Sequence, residues 1–502
     1  MLLVWNRGKN LCNRAKSLRI FQKVFILLQQ SNIIKVPTEL FGGLFVCGSY
    51  EEILKSKKHF HFIGIGGSGM FPLVQILHQK GCYITGSDNN KTDTVEYERN
   101  VLGIPVHIGH DPANLSGADC VIYTAAISKE NPELKAAFHS GALVLERAKM
   151  LGLISQGYHN AICISGTHGK TTTSAMITQI LLGAGLDPSV IIGGKLPLLQ
   201  GSGRVGESDL MVCEACEFHD HFLELSSDIS VILNIDADHL EYFGTLENII
   251  RSFHRFATQT SRTLIVNGDD ENTKKAIEGI NGKKIITFGS SQECDYYPVN
   301  ISYHPEAKTT FTLMYQKKKI ADIVLSIPGK HNILNAVAAC AACFEIGAKP
   351  EDISFHLQKF QGAGRRFEIL GTKNGITIAD DYAHHPTELE ATLKAAKEMH
   401  FGQVWAVFQP FTFSRTKILF DDFIRVLPIA DHVILAPIMG GREVNQYGIS
   451  SEDLGAKMPR TVCLPSFESI SEYAMSHAQP GDLIITLGCG DINKCAKMMV
   501  NA

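Results

Sequence analysis

The sequence predicts an α/β protein of three domains: a Rossmann-like domain over 58–156, a P-loop ATPase domain over 157–362 and a second Rossmann-like domain over 363–502, with 1–57 as an N-terminal extension. Three observations predict it. A chain of 502 residues is too long for one core, because single hydrophobic cores stop growing at roughly 250–300 residues. Two glycine-rich strand-to-helix turns, at 64–69 and 166–171, each stand at the head of an α/β run. Beyond 363, short apolar runs keep alternating with helical stretches, the pattern of parallel strands with crossover helices.

The first domain opens on H-F-H-F-I-G-I-G-G-S-G at 59–69, an apolar strand running into G-x-G-x-x-G at Gly64, Gly66 and Gly69. A helical run follows at 70–79, then a second strand at 82–85 ending in Gly86-Ser87-Asp88. Glycines so placed let the backbone approach a diphosphate at a helix N-terminus, and an acidic residue about 20 positions on bonds a ribose hydroxyl. The fingerprint is fairly specific for a diphosphate-bearing nucleotide and weak on which one; alone it fits a nicotinamide dinucleotide. Strand-like runs at 120–124 and 143–145 complete the unit.

The second domain opens on A-I-C-I-S-G-T-H-G-K-T-T-T at 161–173, which reads as strand (161–164), phosphate loop and helix (171–182). Backbone N–H groups of the loop and the helix N-terminus face a polyphosphate, Lys170 neutralises its outer charge and the Thr171 hydroxyl ligates Mg²⁺. Gly166, Thr167, His168, Gly169, Lys170, Thr171 and Thr172 are the candidate nucleotide residues. Each charge-assisted hydrogen bond is worth roughly 1.5–3 kcal/mol, so several on one triphosphate dominate nucleotide binding. The loop is short, with Ile164 where G-x-x-x-x-G-K-[ST] has glycine, and a plain Gly-rich turn shares the local pattern. A strand at 210–213 delivers Glu214 and Glu217, and one at 229–235 ends in Asp236-Ala237-Asp238-His239. Such residues at parallel-strand C-termini share a rim with the loop, so they are expected to meet the Mg-nucleotide. A strand at 264–268 and a hairpin over 308–327, turning at Gln316-Lys317-Lys318-Lys319, precede a helix from Gly329 to Ala342. Its Asn332 and Asn335 lie at i, i+3, suited to reading a base edge or to capping backbone.

In the third domain, runs at 377–379, 404–408, 432–436 and 483–487 read as parallel strands. Two rim clusters follow the first two of them: Asp380-Asp381-Tyr382-Ala383-His384-His385-Pro386, and Gln409 to Thr416, Q-P-F-T-F-S-R-T. Adjacent side chains diverge, so His384 and His385 read as strand-end caps rather than a metal pair.

Composition bounds the class. Hydrophobic content of 45% and charged content of 20% describe a soluble globular chain. Of the net −4, positions 1–38 hold seven basic and no acidic residues, leaving −11 on the remainder. That argues against a nucleic-acid partner, whose basic face belongs on the folded body. No apolar run reaches the roughly 18–20 residues that span a bilayer, so no membrane partner is expected. The basic first ~55 residues read as a targeting segment, an unstructured extension or residues upstream of the start. Thirteen scattered cysteines form no disulfide framework and suit a reducing, cytoplasmic compartment. The pairs Cys213/Cys216 and Cys340/Cys343 have C-x-x-C spacing, but zinc needs two such pairs converging, and the second sits in an Ala-rich helical run where small core residues are ordinary. The oligomeric state is not legible.

G-I-G-G-S-G-M at 64–70, G-T-H-G-K-T-T-T at 166–173, E-A-C-E at 214–217, N-I-D-A-D-H at 234–239, H-N-x-x-N at 331–335, G-R-R-F-E at 364–368, D-D-Y-A-H-H-P-T-E at 380–388 and Q-P-x-x-F-S-R-T at 409–416 together resemble the Mur ligase family, in order and over about nine-tenths of the chain. Within it the chain is most similar to the branch that joins L-alanine to UDP-N-acetylmuramate in peptidoglycan precursor synthesis. The resemblance implies that Gly64, Gly66, Ser68, Gly69 and Asp88 hold the UDP substrate, that Asn332 and Asn335 help bind ATP, and that Arg365 and Tyr382 touch substrate. It implies Mg²⁺ held by Thr171 and Glu214 with a second ion near His239, and an acyl phosphate attacked by the alanine amine. Lys170 and the metals screen the meeting of two anions, and Arg415 grips phosphate or the alanine carboxylate on domain closure. Glu214, His239 and His384 are unranked candidates for the base.

Later Mur ligases carry a carbamylated lysine after the D-H motif; no lysine occurs here between Lys195 and Lys274, which favours the alanine-adding branch. Phe411 stands where many members have histidine, and Gly440-Gly441-Arg442-Glu443 differs from the usual A-R-E, so serine or glycine stays open as a substrate. The nearest rival is the murein tripeptide recycling ligase. An NAD-dependent oxidoreductase with an accessory ATPase domain and a non-catalytic UDP-sugar-binding regulator are rivals of other classes.

Overall fold

The computed structural model describes residues 50–199, 201–304, 308–441 and 443–501. The expectation for the extension lies outside the described residues as far as position 49. Among the described residues three sheets follow one another along the chain.

The first sheet is all parallel, with β1 (His59–Ile63), β2 (Tyr83–Asp88), β3 (Val106–Ile108), β4 (Cys120–Tyr123) and β5 (Leu143–Glu146) in the order β3-β2-β1-β4-β5. The order reverses beside β1, where ligands of such sheets bind, and the fingerprint loop follows β1. Apart from partly exposed His59, β1 is buried, which is why it reads as a continuous apolar run. β2 continues to Asp88 instead of stopping at 85. Gly86 is not a terminator: a Cβ there would meet Ile65 Cδ1 at 2.5 Å, so the glycine marks a close approach inside the strand.

The second sheet has ten strands. They are β6 (Asn160–Ser165), β7 (Ser189–Leu196), β8 (Gly201–Arg204), β9 (Leu210–Glu214), β10 (Ile229–Ile232), β11 (Thr263–Asn267), β12 (Lys284–Phe288), β13 (Tyr296–His304), β14 (Lys308–Tyr315) and β15 (Lys318–Leu325). The order is β15-β14-β13-β12-β11-β10-β6-β9-β7-β8, parallel from β13 to β7 with antiparallel strands at both edges. The expected hairpin is β14–β15. Its turn residues Gln316 and Lys317 have φ of 45° and 67°, the left-handed pair that a two-residue hairpin turn needs. β10 stops at Ile232 rather than 235, because 234–236 leave the ladder to bond the phosphate loop: Thr167 N–H donates to Asn234 O, and Asp236 N–H to Thr167 Oγ1.

The helices Lys170–Gly183 and Lys330–Glu345 pack together over this sheet. The second of them is lined with alanines and buries Cys340 and Cys343 as free core thiols.

The third sheet, β16 (Glu368–Lys373), β17 (Ile376–Asp381), β18 (Val404–Phe408), β19 (His432–Leu435), β20 (Thr461–Cys463) and β21 (Leu483–Leu487), runs β16-β17-β21-β18-β19-β20. All pairs are parallel except the β16 edge. Apolar clusters cover both faces, as a doubly wound sheet requires. Among the described residues no helix is long and apolar enough to cross a membrane.

Candidate active site

The phosphate loop joins β6 to the helix Lys170–Gly183, and two glycines shape it. Gly166 has φ +138° and Gly169, the N-cap, φ +87°. The loop is braced by a residue that sequence reading missed: Asn234 Oδ1 accepts from His168 N–H at 2.8 Å, and its Nδ2 donates to His168 O at 3.0 Å. The quoted N-I-D-A-D-H motif contained it, but its pairing is set by where β10 ends.

Lys170 and Glu217 are buried together. The ammonium donates to Gly166 O, to Thr167 O at 3.0 Å and to Glu217 Oε1 at 3.1 Å, and pairs with Glu217 Oε2 at 2.9 Å. Burial is the largest influence and opposes its charge, but Glu217, Cys216 and Glu214 together outweigh it, and the net shift is upward. Thr171 Oγ1 donates to both Glu214 oxygens at 3.0–3.1 Å, and Gly193 N–H donates to Glu214 at 2.7 Å. A hydroxyl and a carboxylate in contact at a phosphate loop are the hard oxygen donors that Mg²⁺ takes. His239 faces the same cleft with φ +54°, its Nδ1 3.4 Å from Glu241 and its ring 4.6 Å from Phe218.

The third domain closes the rim. Arg415 pairs with Asp238 at 3.1 Å, both largely buried; burial alone would raise the Asp238 carboxyl, but His239 and Arg415 hold it down at about 2. Glu388 reaches His168 Nδ1 at 3.4 Å and accepts from His384 N–H at 3.1 Å. His384 Nδ1 lies 3.1 Å from Tyr382 O. His385 caps a helix rather than a strand: its Nδ1 accepts from Thr387 N–H at the start of the helix Pro386–Glu398, completed by Glu388 as a capping box.

Two cavities meet at Gly169, Arg366 and Glu388. The larger, ≈ 780 Å³, is lined by Lys170, Thr171, Glu214, His239, His384 and Arg415. The smaller, ≈ 450 Å³, is walled by Phe288, Ile327 and Pro328 with His331, Asn332 and Asn335 as polar groups. Asn332 donates to Pro328 O at 2.6 Å and accepts from Asn335 at 3.1 Å, so the pair braces backbone while lining a cavity. Tyr382 lines the larger cavity. Arg365 also lines it, but its guanidinium is engaged by Asp380 at 2.8 Å, Gly488 O at 2.7 Å and Gly490 O at 2.9 Å. Its neighbour Arg366 lines both cavities, a position the R-R doublet alone does not assign.

The fingerprint residues lie elsewhere. Gly64, Gly66, Ser68, Gly69 and Asp88 line neither cavity. Asp88 Oδ2 accepts from Gly66 N–H at 3.0 Å, fastening the loop, and Ser68 O accepts from Ser202 at 3.3 Å, tying it to β8.

Family models match nearly the whole described chain: "Mur ligase family, catalytic domain" at 59–159, "Mur ligase middle domain" at 164–343 and "Mur ligase, glutamate ligase domain" at 365–490. A UDP-N-acetylmuramate–L-alanine ligase of Agathobacter rectalis is 44% identical over 441 residues, 86% of this chain and 96% of that one. One of Clostridium botulinum is 41% identical over 459 residues, 90% and 100% respectively. Among solved structures, the UDP-N-acetylmuramate–alanine ligase of Thermotoga maritima is similar with TM-score 0.75, 25% identity and 88% and 98% coverage. A murein peptide ligase of Psychrobacter arcticus is similar with TM-score 0.67, 25% identity and the same coverage.

Proposed function

The chain belongs to the Mur ligase family, and from that premise we infer that it is the ATP-dependent ligase joining L-alanine to the carboxylate of UDP-N-acetylmuramate in peptidoglycan precursor synthesis. The observation that carries the chemistry is the single rim where Lys170, Glu214, His239, His384 and Arg415 line one cleft that meets an apolar, amide-edged cavity at the phosphate loop. ATP fits with its base in the smaller cavity and its γ-phosphate in the larger. UDP belongs on the fingerprint loop of 58–156, the nucleotide on 157–362, and 363–502 closes over both. Substrates and ATP place the reaction in the cytoplasm.

In this reading Lys170 exchanges Glu217 for phosphate oxygens, so the charge that now stabilises a buried carboxylate stabilises the transferring phosphoryl group. Thr171 and Glu214 would hold Mg²⁺, and His239 would stand by a second ion; bound there, the metal would further neutralise the phosphates. The muramoyl carboxylate takes the γ-phosphoryl group to give an acyl phosphate and ADP. The alanine amine then attacks that carbonyl, loses a proton and expels phosphate. Of the three candidate bases, His384 is the best prepared. Its Nδ1–H donates to Tyr382 O, leaving Nε2 with the lone pair. Glu214 is already engaged by Thr171 and Gly193. Closure around Arg415 keeps water from the acyl phosphate.

The test is phosphate release from Mg-ATP with UDP-N-acetylmuramate and, separately, L-alanine, L-serine, glycine or L-alanyl-γ-glutamyl-diaminopimelate. Release with L-alanine and formation of UDP-N-acetylmuramoyl-L-alanine is expected. Release only with the tripeptide would assign the recycling ligase, and NADH oxidation without phosphate release would overturn the ligase reading altogether.

A further inference from the structure

Three side chains converge from three segments beside the smaller cavity, which His168 and Asp236 line, and the chemistry proposed above uses none of their side-chain donor atoms. His168 comes from the phosphate loop, Asp236 from the turn after β10, and His385 from the N-cap of the helix Pro386–Glu398. One donor atom of each lies within 4.8 Å of the others. His168 Nε2 is 3.4 Å from Asp236 Oδ2, and the two imidazole rings are 5.5 Å apart. His385 is 6% exposed, and its Nε2 is buried with no hydrogen-bond partner. A buried ring nitrogen left without a partner costs free energy unless something else satisfies it.

We propose that His168, Asp236 and His385 form a binding site for a borderline divalent transition ion, Zn²⁺ or Co²⁺, that pins the phosphate loop to the third domain. Two imidazoles and one carboxylate are a Zn²⁺-type donor set, whereas Mg²⁺ takes oxygen. Tetrahedral ligation at about 2.0–2.1 Å sets donors roughly 3.3 Å apart, close to the spacing that His168 and Asp236 already have. His385 completes the site by turning its ring, giving up only the long 3.4 Å contact from Thr387 N–H.

The surroundings supply what ligands of such an ion need. Glu388, wholly engaged by neighbours, holds the other ring nitrogen of His168 at 3.4 Å, the carboxylate–histidine arrangement that orients a ligating imidazole and raises its basicity. Thr387 Oγ1 donates to Asp236 Oδ2 at 3.1 Å and orients the carboxylate. Two ligands belong to the ATPase domain and one to the closing domain, so an ion here holds the domains together. Ligase turnover needs them to part, and excess Zn²⁺ therefore inhibits. Metal binding itself requires no substrate, so the site stands or falls separately from the ligase reading.

The experiment is titration of the full-length protein, free of nucleotide and Mg²⁺, with Co²⁺ followed by its ligand-field absorption, and with Zn²⁺ followed by equilibrium dialysis and thermal unfolding. One equivalent should bind, with the strong bands of a four-coordinate ion and a raised unfolding midpoint. His385→Ala and Asp236→Asn should each weaken binding at least 10-fold and abolish the midpoint shift, while His239→Asn leaves both unchanged. Absence of binding, binding indifferent to both His385→Ala and Asp236→Asn, or binding lost with His239→Asn would each overturn the proposal. In the last case the ion sits at the Thr171/Glu214 rim.

Discussion

Glu98 is wholly buried in the first domain, and neither of its carboxyl oxygens has a hydrogen-bond partner. Burial, and secondarily the negative charge of Asp88, push its carboxyl from 4.5 up to about 8. Between those two values the folded chain binds a proton that the unfolded chain releases, so stability falls as pH rises through that window, and below it nothing is lost. Glu98→Gln keeps the shape and removes the titration. It should raise stability at pH 8 by on the order of 1–3 kcal/mol and leave it unchanged near pH 4, checked by denaturant unfolding at both. Equal stability of the two proteins at pH 8 would refute the account. The two departures from the family pattern also resolve at this scale. Phe411 pairs in a parallel bridge with Met439, and a Cβ on Gly441, at φ +63°, would meet the Phe411 ring at 3.4 Å. The positive φ at 441 favours glycine whatever the space, and the Phe411 ring lies at van der Waals distance from it, a proximity invisible along 30 residues of sequence. Arg442 lies outside the described residues.

At the scale of the element, the phosphate loop was the most legible part of the chain, because its strand, turn and helix are contiguous and its glycines answer to local backbone geometry. Gly169 shows why the rest of its role was not. Its φ of +87° already disfavours a side chain, and a Cβ would also meet Asn335 Oδ1 at 2.5 Å, on a helix more than 160 residues away. Gly169→Ala therefore carries about 1–2 kcal/mol of left-handed strain and displaces an amide that lines the smaller cavity. The expected outcome is at least a 10-fold loss of affinity for an ATP analogue by calorimetry, with the far-UV dichroism of the native protein. Affinity within two-fold of wild type would show that the loop tolerates the side chain. Edge strands were the least legible: β3, β8, β16 and β20 are short or half-exposed and carry weak apolar runs. Gly86, read as a strand end, is buried in mid-strand for a reason that resides in Ile65.

For the whole molecule, the decisive contacts join the second and third domains: Arg415 to Asp238, Thr387 to Asp236, and Glu388 to His168. Arg415→Ala leaves Asp238 buried without its guanidinium, and removing one partner of such a pair is far costlier than the pair's net worth. We expect kcat/KM for L-alanine to fall by about 100-fold or more, while affinity for UDP-N-acetylmuramate, which we propose the first domain to hold, stays within a few-fold. A parallel loss of UDP-substrate affinity would contradict the separation of the two sites. By itself the sequence determined the α/β class, the two glycine loops, the strand end that carries Glu214, and the family. All of these are encoded in runs of a few residues, whose backbone geometry and apolar period are local. Only the tertiary structure decided that Glu217 holds Lys170, that Arg366 rather than the engaged Arg365 lies between the cavities, and that His385 meets His168 and Asp236. Those relations depend on how strands order themselves in a sheet and on how one domain closes on another, distances that no local pattern along the chain encodes.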